Sequence, residues 1–157
     1  LNEGTPVVGV LVASPAELAM MQQAGAILEK LGVPQETRVM SSSRSPDIVD
    51  EYARTAFERG IKVIICTTGI SGHLAAAVAA RTILPVIGVP IASDQMDGTM
   101  ALFVTAQMPR GVPVAAVGVD ASVNAAILAA QIVGVGDPGI QAELWRFKDD
   151  LAEGLRL

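Results

Sequence analysis

Residues 7–18 read VVGVLVASPAEL. The run 7–12 is apolar without interruption, rich in β-branched valine, and of strand length rather than helix length. Absence of polar alternation implies burial on both faces, the condition of a strand inside a parallel sheet. Ala13-Ser14-Pro15 closes the run. Ser14 suits an N-cap, Pro15 the first helical position, and Glu17 the first turn, near the positive end of the helix dipole. Leu18, Met21, Ala24, Ile27, Leu28 and Leu31 then recur at spacings of three and four, and Gly32 stops the helix.

The same alternation continues along the chain. Strands are predicted over 35–40, 62–66, 86–89 and 112–119. Helices are predicted from Ser45-Pro46-Asp47 to Arg59 with Gly60 as stop, over 74–81, from Asp97-Gly98 through Gln107, and over the alanine-rich segment 121–133. A mixed segment, 140–155, reads as an exposed or subunit-spanning terminal helix. The expected organisation is one domain over 1–157, with 137–157 as a terminal helical extension. Strand–helix alternation implies a parallel sheet covered on both faces, and such sheets bind ligands beyond the carboxyl ends of their strands. The loops of interest therefore begin at Ser14, Ser41, Thr67, Pro90 and Gly118.

The 157 residues suffice for one core and not for two ordinary ones. Apolar residues make up 51% but aromatics only 3%, so Ala, Val, Ile and Leu must build that core. A formal net charge of −5 argues against a general nucleic-acid surface, though not against a local phosphate site. Cys66 is the only cysteine, which excludes an intrachain disulfide and a multi-cysteine zinc site. No apolar run reaches membrane-spanning length and no basic stretch precedes 7–12, so the expectation is a cytoplasmic protein with no membrane partner. Its apolar composition suggests surface buried between subunits.

Two loops carry candidate chemistry. Ser41-Ser42-Ser43-Arg44 offers hydroxyls, a guanidinium and the N–H groups of the following helix. It reads either as an anion site or as a capped helix with a solvated arginine. Thr67-Thr68-Gly69-Ile70-Ser71-Gly72-His73 offers threonine donors, and glycines that let backbone approach a ligand. His73 is the only histidine. It reads either as an acid–base group, imidazole being the side chain that ordinarily titrates near neutrality, or as a residue satisfied at a helix start or subunit contact. Cys66 reads as a buried structural thiol. Asp94, Asp97 and Asp120 lie in carboxyl-end loops, where they can cap a helix or accept from ribose hydroxyls. The Walker motif and a GxGxxG after the first strand are both missing.

The segments VIGVP (86–90), QMPRGVPVA (107–115) and NAAILAAQI (124–132) are the most specific in the chain. With AGAILEKLGVPQETRV (24–39), SRSPD (43–47) and GHLAAAVAA (72–80), in this order and spacing, the sequence resembles the PurE family. That family comprises N5-carboxyaminoimidazole ribonucleotide mutase and aminoimidazole ribonucleotide carboxylase, of purine biosynthesis. The resemblance implies a three-layer α/β/α domain of flavodoxin-like order and a homo-octamer. It also implies a site between subunits for a small phosphorylated heterocycle, and chemistry without metal or organic cofactor.

Position by position, the resemblance makes Ser14, Ser41 and Arg44 substrate ligands, Ser41 and Arg44 at the phosphate. Glu17 stands where the family has a ribose-holding aspartate, and Ala16 where it has a second serine. Ser43 stands in place of the histidine that moves protons. Thr67, Thr68 and Ile70 replace parts of a glycine-rich bed in which His73 survives. The loop around 120–123 is shorter than the family's. The candidate catalytic residues are thus His73 and Ser43. The candidate substrate-binding residues are Ser14, Glu17, Ser41, Arg44, Thr68, Gly69 and Ser71. The expected reaction moves a carboxylate from the exocyclic nitrogen to C4 of an aminoimidazole ribonucleotide. It needs one proton delivered to nitrogen and one taken from C4. A serine hydroxyl does not titrate usefully near neutrality, so another group must serve. The alternatives are a paralogue acting on another carboxylated heterocycle in a specialised pathway, a non-catalytic ribonucleotide-binding protein, or a subunit that only assembles.

Overall fold

In the computed structural model, which describes residues 4–93 and 96–156, the opening apolar run becomes β1, Val8–Val12, buried at every position. Also buried throughout are β3, Val63–Thr68, and β4, Val86–Pro90. The edge strands are more open: β2, Gln35–Val39, and β5, Ala115–Ala116. All neighbours pair in parallel, in the order β2-β1-β3-β4-β5, which is the flavodoxin-like arrangement. The helices are α1 Leu18–Lys30, α2 Pro46–Thr55, α3 His73–Ala79, α4 Thr99–Ala106, α5 Ser122–Gly134 and the C-terminal α6 Pro138–Ala152.

Successive strand residues point to opposite faces, so each buried strand feeds two cores. Val8, Val10 and Val12 of β1, with Val63 and Ile65 of β3, meet Met21, Ala24 and Leu28 of α1 and the inner face of α5. Leu11 of β1, with Ile64 and Cys66 of β3, meets Val49, Tyr52 and Ala53 of α2 and Leu74, Ala75 and Val78 of α3. Ala125, Ala126, Ala129 and Ala130 of α5 are all fully buried. Their short side chains let α5 lie close to α1 and the sheet. Two strand glycines allow comparable closeness. A Cβ on Gly9 would overlap the Tyr52 hydroxyl, and one on Gly88 would overlap the Thr105 methyl of α4.

Some expectations need correcting. The strand expected over 112–119 is reduced to Ala115–Ala116. Pro113 has no N–H to donate, Gly111 turns the chain with φ +90°, and only one neighbour is available at the sheet edge. The helix expected to reach Arg59 ends at Thr55 and continues as turns to Gly60, whose φ is +94°. Ser14 does not cap a helix with its side chain. A single turn of 3-10 helix, Pro15–Glu17, comes first, and the Ser14 hydroxyl donates to the Glu17 carboxylate instead. The terminal helix is docked on its own chain: Ile140 and Phe147 are buried in the α1–α5 core, while Trp145 stays exposed. Among the described residues, no helix is long and apolar enough to cross a membrane.

Candidate active site

The carboxyl ends of β1, β2 and β3 converge on the backbone of one residue, Ala13. Its N–H donates to Glu17 Oε2 and to Thr67 Oγ1, each at 3.0 Å. Its carbonyl accepts from Arg44 Nη2 at 2.7 Å. The Thr67 hydroxyl in turn donates to Glu17 Oε2, and Ser14 Oγ lies 3.4 Å from Glu17 Oε1. Side chains from the loops after β1 and β2 and from the carboxyl end of β3 are thereby tied into one cluster. Thr67 is fully buried and Glu17 half-buried, whereas Arg44 is exposed with the rest of its guanidinium uncommitted to Ala13.

The loop after β2 holds its own shape. Ser45 Oγ accepts from the Ser41 N–H at 3.2 Å and donates to the Ser41 carbonyl at 3.1 Å. Ser41 Oγ accepts from the Arg44 N–H at 3.3 Å. These bonds fix where the Arg44 side chain leaves the backbone, directly ahead of α2. Ser43 is exposed on the crest of this turn. Across the sheet, Gly72 adopts φ +61°, donates to the Gly69 carbonyl at 2.9 Å, and starts α3. His73 is the first residue of α3 and is exposed, as is Ser71.

A cavity of about 170 Å³ opens beside this cluster. Glu17 and Gly69 form one side, and Ile70, Ile91, Met96 and Met100 give it an apolar wall. A larger cleft, about 510 Å³, lies between α2 and α3 and is bordered by Ser42, Pro46, Asp47, Asp50 and Arg81. It touches the outer side of the β2 loop but none of the Ala13 cluster. Of the two, the smaller cavity is the one lined by Glu17 of the Ala13 cluster and by Gly69 and Ile70 of the loop after β3.

Not every sequence candidate falls here. Thr68 is buried at the opposite face of β3, where its hydroxyl pairs with Thr105 Oγ1 at 2.6 Å. Thr105 donates to the Ala101 carbonyl, which leaves Thr68 as the donor of that pair. Its hydroxyl is spent on packing α4, and its neighbour Thr67 takes the place at the site. The pleat dictates this exchange: Thr67 shares a face with Val63 and Ile65, toward α1, and Thr68 shares one with Ile64 and Cys66. The Cys66 thiol is fully buried, and burial pushes it well above the usual thiol range, so it is an inert core group. Asp120, at φ +54°, accepts from the Ala92 N–H at 3.1 Å and ties the β5 loop to the β4 loop. Asp97, one residue before the Gly98 N-cap of α4, accepts from the Thr99 N–H at 2.9 Å, and that bond holds its carboxyl below the ordinary value. Asp94 lies outside the described residues. Among the described residues, no three His, Cys, Asp or Glu side chains gather in a way that could hold a metal ion.

The family model for AIR carboxylase matches residues 7–154, nearly the whole length. The chain belongs to the AIR carboxylase family. Its curated relatives include N5-carboxyaminoimidazole ribonucleotide mutase of Pyrococcus abyssi, 44% identical over 94% of this chain and 85% of that protein. The mutase of Bacillus subtilis is 46% identical over 88% of this chain and 87% of that protein. Phosphoribosylaminoimidazole carboxylase of Schizosaccharomyces pombe is 44% identical over 95% of this chain, which matches 27% of that longer protein. Among solved structures, Treponema denticola PurE superposes with a TM-score of 0.84 at 24% identity, over 94% of this chain and 92% of that one. The family is one of enzymes, and the fold is theirs.

Proposed function

We propose that the protein is a PurE-type enzyme of purine biosynthesis that moves a carboxyl group on an aminoimidazole ribonucleotide. The observation that carries this reading is the Ala13 cluster. Arg44 stands exposed at the mouth of the β2 loop with one nitrogen anchored on Ala13, and among the described residues its other guanidinium N–H groups have no partner. A fixed guanidinium beside serine hydroxyls and a helix start is a phosphate site. Ser14 and Ser41 flank it, and Glu17 with Gly69 faces the cavity in which the sugar and heterocycle would lie.

In this reading the carboxylate leaves the exocyclic nitrogen as carbon dioxide and bonds to C4, while one proton reaches nitrogen and another leaves C4. Ser43 contributes a hydrogen bond, and His73, exposed at the start of α3, carries the protons. The protein acts in the cytoplasm as a homo-octamer whose neighbouring subunits complete the cavity. Support for assembly comes from exposed apolar side chains, Ile83, Phe103 and Trp145 among them.

The direct test is conversion of N5-carboxyaminoimidazole ribonucleotide by the purified protein. Turnover above the uncatalysed rate is expected, and its absence would remove the proposal. Arg44→Ala should raise KM roughly tenfold or more, the loss expected of a charge-assisted bond to phosphate. Light scattering should return eight chains. A second reading rests on the apolar wall of Ile70, Ile91, Met96 and Met100, which suits a different carboxylated heterocycle. Turnover of such a compound in preference to the aminoimidazole would favour it.

A further inference from the structure

Glu17 lines the cavity, and its carboxylate is held both from its own turn, by Ala13 and Ser14, and from the distant strand β3, by Thr67. Its Oε2 oxygen is taken twice, by the Ala13 N–H and by the Thr67 hydroxyl. Among the described residues, its Oε1 oxygen is held only by Ser14 Oγ, at 3.4 Å. The Thr67 hydroxyl has two tasks at once: it donates to Glu17 and accepts from the Ala13 N–H at 3.0 Å. Thr67 is fully buried at the end of a fully buried strand, so this anchor sits in a rigid part of the sheet.

We propose that Thr67 is a positioning residue, whose buried hydroxyl pins one oxygen of Glu17 and so leaves the other to accept a hydrogen bond from the ligand in the cavity. The ligand group facing Glu17 is then a donor, a sugar hydroxyl or a nitrogen-bound hydrogen, set against an otherwise apolar wall. Thr67 touches no ligand. It acts through Glu17, and through the Ala13 N–H that both groups share. The assignment of the cavity as the substrate site rests on the function proposed above. The Thr67–Glu17–Ala13 link stands on geometry alone.

Thr67→Val keeps the branched shape and strand preference while deleting the hydroxyl. Thr67→Ser restores the hydroxyl without the methyl, and Thr67→Ala is a second hydroxyl-free chain should valine disturb folding. Two readouts separate this inference from the functional reading. The first needs no ligand: amide exchange at Ala13, followed by NMR, should accelerate about tenfold without the hydroxyl and return in the serine variant. Unchanged Ala13 exchange in both hydroxyl-free chains would overturn the proposal. The second is kinetic: with N5-carboxyaminoimidazole ribonucleotide, KM should rise about tenfold while kcat stays close to wild type, and serine should restore KM. A KM that does not respond, in an enzyme that turns over, would also overturn it. Wild-type protein that neither binds aminoimidazole ribonucleotide in calorimetry nor turns over defeats the functional reading instead, and Ala13 exchange then decides the inference by itself.

Discussion

Thr67 and Thr68 are adjacent, chemically identical and equally buried, yet they do different things. Thr67 faces α1 and ties Glu17 to Ala13; Thr68 faces α4 and bonds Thr105. Removing the second hydroxyl should therefore harm stability and spare the site. Thr68→Val is expected to lower unfolding free energy by about 1 kcal/mol in urea titration, the usual worth of one buried hydrogen bond, with KM unmoved. The chemistry of both residues is plain in the sequence, and their directions are not. β3 is apolar on both faces, so its period-two pattern carries no contrast by which one face can be told from the other. Only the helices that cover it break that tie. Glu17 was a candidate only through the family resemblance, and its anchor 50 residues away was not legible at all.

At the scale of elements, strands and helices with strong internal pattern were readable to within a few residues, and weakly patterned ends were not. β1 and α1 follow from their apolar runs. β5 shrinks to two residues because an edge strand gains from one neighbour only and Pro113 offers no N–H. α6 shows how local chemistry fixes a boundary. Asp137 Oδ1 accepts from the N–H groups of Gly139, at 2.9 Å, and Ile140, at 3.1 Å, with Pro138 at the first helical position. Asp137→Ala should cost about 1 kcal/mol, a typical N-cap loss. For a chain of this length that corresponds to a fall in Tm of about 2–4 °C in a thermal melt. Whether α6 meets a neighbouring subunit was not legible in either direction, since its polar face and Trp145 suit solvent and contact alike.

Across the whole molecule, acid stability depends on a cluster at the open edge of the sheet. Burial pushes the Glu36 carboxyl up, but bonds from Arg59, Tyr52 and Arg38 outweigh it and hold the group below the ordinary carboxylate range. Arg59 also stacks 4.6 Å from the centre of the Tyr52 ring. A carboxylate depressed in the folded state lends stability above its unfolded pKa, and that stability is lost as pH falls through the folded value. Unfolding midpoints should therefore drop below the ordinary glutamate range, about pH 4.3, and Glu36→Gln should flatten that acid limb. The Ala13 backbone has a wider consequence. One residue links two loops and a strand end, its N–H grasped by Glu17 and Thr67 and its carbonyl by Arg44. Retuning this catalyst for a new compound by altering one of these three segments will shift the other two, so useful variants will arise as matched sets and their effects will not simply add.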